Sequence, residues 1–159
     1  MKTDILKKLI KEAVKEAIHE ELKDIIEDQL VRADLIVISG ESKDESFELI
    51  TRVLQELGDI KAVAPAMADS GRMNYGTIGP DKTPVITLPG DPVATALAAE
   101  IFVRPMIRTM LGSPSVFRRK MAAKLNGEIT SSIGAMYCCI HQTMRWYFSK
   151  TDTGRLSVL

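Results

Sequence analysis

The 159-residue sequence holds two cysteines, Cys138 and Cys139, and they are adjacent. Neighbouring residues rarely bridge each other, and no CxxC pair or histidine cluster accompanies them to build a zinc site. Histidine is equally scarce: His19 and His141 lie far apart in the chain, which argues against a Cys–His nucleophile. The N-terminus is charged and has no signal-like apolar core, and no apolar run approaches the ~18 residues of a membrane span. Net charge is zero, from 21 basic and 21 acidic residues, so overall charge names no partner. From Arg104 onward, however, nine Lys/Arg face two acids, leaving minus seven on the preceding part. These basic residues are scattered, as solvated faces are, and no nucleic-acid partner is expected. The reading is a soluble, cytoplasmic protein in a reducing compartment, without a membrane span. Hydrophobic residues at 45% and charged residues at 26% are ordinary globular usage, enough for a real core.

Glycine and proline are missing from residues 4–30, where apolar pairs recur at Ile5/Leu6, Leu9/Ile10, Ala13/Val14 and Ala17/Ile18, then Leu22, Ile25/Ile26 and Leu30. This predicts a long amphipathic helix, started by Thr3 or Asp4, whose apolar stripe packs on a domain or on a copy of itself. Asp34 to Gly40 is an apolar run ending in a small-residue turn, as buried parallel strands do. A helix is expected over 47–57 and stopped by Gly58, then a strand over 60–66, a turn at 69–71, a short extended piece at 73–78 and a strand over 84–88. A further helix runs from about Val93 to Leu111, kinked by Pro105 and closed by Gly112. Strand and helix alternate, so the class is α/β with a mostly parallel sheet. Three parts follow: a helix at 1–30, an α/β domain over 31–113, and 114–159. Within the last, 117–129 can be strand or helix and 130–159, which holds Trp146, Tyr137 and Tyr147, shows no sustained period.

Open α/β sheets bind ligands where strands end and helices begin. Two such loops stand out, Ser39 to Ser46 and Leu88-Pro89-Gly90-Asp91-Pro92. In the second, Gly90 allows close backbone approach, Pro92 presets the first helical turn, and Asp91 can cap that turn or hold a cation.

Ala33-Asp34-Leu35-Ile36-Val37-Ile38-Ser39-Gly40, then Leu88-Pro89-Gly90-Asp91-Pro92-Val93, then Phe102-Val103-Arg104-Pro105, resemble the molybdopterin molybdotransferase family. This family comprises the bacterial MoeA proteins and the E domain of gephyrin, and carries ADLIVxSGG, LPGNPVS and FxRP in this order. The match runs from about Arg32 to Gly112. The resemblance implies a MogA-like three-layer α/β molybdopterin-binding domain from a longer, normally oligomeric enzyme. It also implies insertion of molybdate into adenylylated molybdopterin with Mg²⁺, releasing AMP. On the matching positions, Ser39, Gly40, Ser70, Gly71, Arg72, Pro89, Gly90 and Pro92 would line the cofactor pocket, with Arg72 the cationic partner of phosphate or molybdate. Asp44 and Asp91 would be the catalytic carboxylates, and Asp91 the metal ligand.

The sequence departs from the family at the second glycine of SGG, which is Glu41, and at PGNP, which is PGDP. Both add negative charge where an anionic ligand is expected. The family's acidic residue in the first loop falls on Ser46, so Asp44 or Glu45 takes that role only if the loop shifts. The family's preceding ligand-binding half has no counterpart, and a fragment of the enzyme is expected, with 114–159 a remnant of its C-terminal β domain or a poorly ordered tail. Two other readings stand beside the transferase. One is a catalytically inactive, gephyrin-like scaffold for a protein partner; the other is an incomplete domain that needs another chain to close its sheet.

Overall fold

The computed structural model describes residues 2–40, 44–65, 71–118, 121–122, 137–140, 145–150 and 156–158, and structural statements refer to these. The elements are α1 (Lys2–Leu30), β1 (Ile36–Ser39), α2 (Asp44–Leu57), β2 (Gly58–Val63), β3 (Met73–Ile78), β4 (Thr83–Leu88), α3 (Pro92–Ala98), a π turn (Ala99–Val103) and α4 (Arg104–Met110), followed by β5 (Met121–Ala122), β6 (Tyr137–Ile140), β7 (Arg145–Lys150) and β8 (Leu156–Val158). They form two compact units, residues 1–63 with 74–87 and residues 64–73 with 88–159.

The first unit is α/β, with a four-stranded mixed sheet in the order β1-β4-β3-β2. Its core is Ile26 of α1, Val53 and Leu54 of α2, and Ile36, Ile60, Ile78 and Val85 of the four strands, with Leu22, Leu30, Ile38, Ile50 and Leu57 packed against it. Each side chain removed from water here contributes about 1.5–3 kcal/mol. Lys11 and Lys15 meet Glu45 near the start of α2, and His19 and Lys23 meet Glu56 near its end, so the two helices run side by side in one direction.

The mostly parallel sheet expected from the alternation is not what forms. β3 and β4 pair antiparallel, with Ile78 opposite Thr83. Only four residues, Gly79-Pro80-Asp81-Lys82, connect them, and a parallel crossover needs a dozen or more. Gly79 (φ 73°) and Lys82 (φ 54°) turn the chain in the left-handed region. The Gly79 N–H also donates to the Leu57 carbonyl at 3.0 Å, which satisfies the end of α2.

Helix α1 begins at Lys2, so Thr3 and Asp4 lie inside its first turn rather than ahead of it. It also lacks the single apolar stripe expected of it. Its apolar residues recur every four positions while a helix turns every 3.6, so each step rotates the row by about 40°. Leu6 thus stands about 160° around the axis from Leu22. Leu22, Ile26 and Leu30 reach the core, whereas residues 3–18 are exposed throughout.

In the second unit, α3, the π turn and α4 follow one another without a break in chain. The π turn immediately precedes Pro105: the Arg104 N–H bonds to the Ala99 carbonyl, five residues back. A proline ring clashes with the carbonyl four residues earlier, and the wider turn relieves that clash without ending the helix. Gly112 (φ 64°) closes α4 in a Schellman motif, with Ser113 N–H to Arg108 C=O and Gly112 N–H to Thr109 C=O, both 2.9 Å. Of residues 114–159, β5 to β8 form a second sheet in the order β5-β8-β7-β6, in which every pairing is antiparallel. Trp146 faces Cys139 in this register, and Tyr147 faces Cys138.

Candidate functional site

Strand β1 ends on Ser39, which is exposed, with Ile36 and Ile38 turned to the core. Gly40 follows. A Cβ built on it meets nothing within 4 Å, and its φ is not among the left-handed ones. Neither backbone strain nor a protein neighbour therefore demands glycine there, and the free space lies where a ligand could approach. Asp44 is the first residue of α2, and the intervening positions 41–43, Glu41 among them, lie outside the described residues. Ser70 is also outside them; Gly71 (φ 62°) and exposed Arg72 lead directly into β3.

The loop after β4 belongs to the second unit and is defined in detail. Pro92 occupies the first turn of α3, and Asp91 is its N-cap: Oδ1 accepts from Val93 N–H at 3.0 Å and Ala94 N–H at 2.9 Å. The hydroxyl of Thr95 reaches back to the carbonyls of Pro89 and Asp91, the latter at 2.7 Å, and holds Gly90 between two fixed points. Thr95 carries no motif signal; a hydroxyl four residues after an N-cap aspartate is the feature that could have marked it. Asp91 thus has a structural role, and its second oxygen remains for other work. The helix N–H groups that an anion would seek are engaged by its first oxygen.

Arg104 of the FVRP segment is equally occupied. Its Nε lies 3.4 Å from Glu100, whose nearly buried carboxylate also receives Arg118. Arg108 donates to Ser115 C=O at 2.5 Å and Ser113 Oγ at 2.9 Å. These arginines fasten the segment after α4 to the helix. A shallow groove runs over them, lined by Ala96, Ala99, Val103 and Ile107.

Two polar groups in the first unit escaped the sequence reading. Asn74 is fully buried: its N–H donates to Thr87 Oγ1 at 2.7 Å and its Nδ2 to Thr51 Oγ1 at 2.9 Å, while Thr51 donates to Phe47 C=O at 2.7 Å. His19 is buried on α1, its Nε2 3.1 Å from Glu56 Oε1 and its Nδ1 without a hydrogen-bond partner. The bond from His19 lowers the Glu56 carboxyl from its ordinary value; burial opposes this, and the bond from Lys23 lowers it further. Lys11 and Lys15 lower that of Glu45 in the same way. Both clusters join α1 to α2, and the second engages Glu45, the alternative acidic residue of the first loop, with Lys11 and Lys15.

Among known proteins, residues of this chain align with molybdopterin molybdenumtransferase 1 of Mycobacterium tuberculosis, 37% identical over 122 residues and 77% of the chain. The chain belongs to the molybdopterin molybdenumtransferase family. Molybdopterin molybdenumtransferase 2 of the same organism is 31% identical over 116 residues, 69% of the chain. The chain spans 29% and 28% of the lengths of these two molybdenumtransferases. No protein-family model matches it. No helix among the described residues is long and apolar enough to cross a membrane, and none of their His, Cys, Asp and Glu side chains gather into groups of three or more that would hold a metal by themselves.

Proposed function

We propose that this chain acts in molybdenum cofactor biosynthesis, as the part of a molybdopterin molybdenumtransferase that binds adenylylated molybdopterin and molybdate. The supporting observation is the 37% identity together with a PGDP loop fixed by Asp91 and Thr95. On this reading Pro89, Gly90 and Pro92 present backbone to the pterin phosphate, Ser39, Gly40, Ser70 and Gly71 complete the cofactor contacts, and Arg72 meets phosphate or molybdate. A MogA-like three-layer fold, a cytoplasmic location and self-association belong to the same reading.

Mg²⁺ suits the donor set in a limited way. The ion commonly takes one or two carboxylates and completes its shell with substrate phosphate and water. Asp91 would hold it through the oxygen that does not cap α3, while Asp44 is a catalytic carboxylate, not a metal ligand, in the same reading. When bound, the ion supplies charge neutralisation between phosphate, adenylate and molybdate. The chain's own part is to hold the loop backbone rigid and to fix the Asp91 carboxylate at the head of α3.

Glu41 in the second-glycine position and the self-capped helix favour a second reading, a catalytically inactive scaffold that holds a protein partner. A thermal melt with and without adenylylated molybdopterin and Mg²⁺ separates the two. Ligand at 100 times its dissociation constant stabilises a binding site by about 2.7 kcal/mol, a shift of several degrees. A melt that moves supports the transferase; one that stays put leaves the scaffold.

A further inference from the structure

Among the largest fully buried side chains, Val53, Leu54, Ile78 and Val85 are apolar and Asn74 is not. Asn74, Gly76 and Ile78 alternate onto the face of β3 that meets the helices, where Ile78 packs with Val53, Leu54 and Val85. Apolar side chains of matching shape would serve that packing as well. Replacing both partners of a buried hydrogen bond in this way leaves stability nearly unchanged or raises it. Core packing therefore does not account for the amide.

Its bonds tie three segments together. The Asn74 backbone N–H donates to Thr87 Oγ1 at 2.7 Å, and its Nδ2–H donates to Thr51 Oγ1 at 2.9 Å. The Thr51 hydroxyl in turn donates to the Phe47 carbonyl at 2.7 Å. The cluster spans the first half of α2, the start of β3 and the end of β4. Each of these points adjoins a stretch that the motifs single out. Helix α2 leaves the Ser39 to Ser46 loop, Arg72 stands two residues before Asn74, and Leu88-Pro89-Gly90-Asp91-Pro92 begins directly after Thr87. The β3–β4 ladder already joins two of the three segments. The side-chain amide is what adds α2.

We propose that Asn74 is a positioning residue: its side-chain amide fixes the first half of α2 on β3, and so sets how α2 leaves the Ser39 to Ser46 loop. It touches no ligand, because it is fully buried. The consequence for ligand binding rests on the molybdopterin reading; the fixing of α2 does not.

Hydrogen exchange of the full chain, read by mass spectrometry, tests this. Asn74→Leu with Thr51→Val matches the heavy-atom shape of both side chains and leaves no polar group of the Asn74–Thr51 pair unpaired. In this double variant the amides of residues 44–51 should exchange about tenfold faster. Those of Ile60, Ile78 and Val85 should keep wild-type rates, and the melting temperature should stay within a few degrees. Thr51→Ser keeps the hydroxyl and should match the wild type throughout. In calorimetry with adenylylated molybdopterin and Mg²⁺, the double variant should bind about tenfold more weakly than wild type. Wild-type exchange at 44–51 in the double variant overturns the proposal. So does a uniform rise in exchange with a lowered melt, which would make the cluster a core contact alone. Equal ligand affinity for both proteins removes Asn74 from the positioning of the site. A wild type that does not bind the ligand overturns the molybdopterin reading instead, and the exchange rates still decide whether Asn74 fixes α2.

Discussion

His19 Nε2 lies 3.1 Å from Glu56 Oε1, so a buried imidazole on α1 is answered by a carboxylate on α2. One turn further along, Lys23 Nζ reaches the other oxygen of the same glutamate at 3.4 Å. With Lys11 and Lys15 on Glu45, these contacts clamp the two helices at both ends of α2.

The clamp predicts an acid-sensitive junction. His19 lowers the Glu56 carboxyl and Lys11 and Lys15 lower that of Glu45, so both are more readily ionised in the folded chain than in the unfolded one. Their contribution is fully present above the ordinary carboxylate range and is lost as pH falls through the lowered folded values. Urea unfolding at a series of pH values should show stability falling toward acid, and Glu45→Gln with Glu56→Gln should flatten that fall. An unchanged slope in the double variant would refute the assignment.

Two glycines set the spacing of β2 and β3. A Cβ on Gly76 would sit 2.0 Å from the Asp59 carbonyl oxygen, and one on Gly58 2.2 Å from that of Thr77. Backbone is on the receiving side in both cases, so the strands must separate. Gly58→Ala and Gly76→Ala should each cost about 1–3 kcal/mol or more in denaturant unfolding.

Gly40→Ala should behave in the opposite way. Its surroundings are open, and the expected change in stability is within about 0.5 kcal/mol. If adenylylated molybdopterin approaches this backbone, the same substitution should weaken its binding in calorimetry; equal affinity for both proteins would remove Gly40 from the site.

Asp91 allows its two roles to be separated. Asn caps helices as well as Asp does, whereas Ala loses about 0.5–2 kcal/mol. Asp91→Ala should therefore lower the melt, and Asp91→Asn should not. Because the amide carries no charge, Asp91→Asn should weaken Mg²⁺-dependent ligand binding if the free oxygen holds the ion. A Mg²⁺ titration of both proteins reads this directly.

Local chemistry announced much of this fold. The run ending at Ser39-Gly40 is a strand, but an edge strand with Val37 and Ser39 exposed rather than the buried one expected. Pro92 behind Asp91 starts a helix because a fixed φ and a carboxylate acceptor both suit its first turn. The hairpin over β3 and β4 is less legible: Gly79-Pro80-Asp81-Lys82 is turn-forming chemistry, but short strands carry no local sign of which neighbour they pair with. The winding of the α1 row was also visible in its four-residue spacing. The buried Asn74 and the hydroxyl of Thr95 were not, since their partners are fixed by the packing of β3 on α2 and by the fold of the PGDP loop. At the site, the residue types followed from the motifs, but the commitment of Asp91 Oδ1 to two amides depends on geometry that spacing alone does not express.

The wide turn before Pro105 bears on how this part of the chain can change over evolution. It contains one residue more than an α-helical turn, which sets the faces of α3 and α4 out of phase by about 100° relative to a continuous helix. Proline keeps that offset in place, so Val103 stays buried while the Glu100–Arg104 pair lies beside it. Removing a single residue from 99–103 would return the turn to the α-helical count and bring the Pro105 ring back against the carbonyl four residues earlier. The extra residue and the proline are thus coupled, and the wide turn is lost only at the cost of that clash.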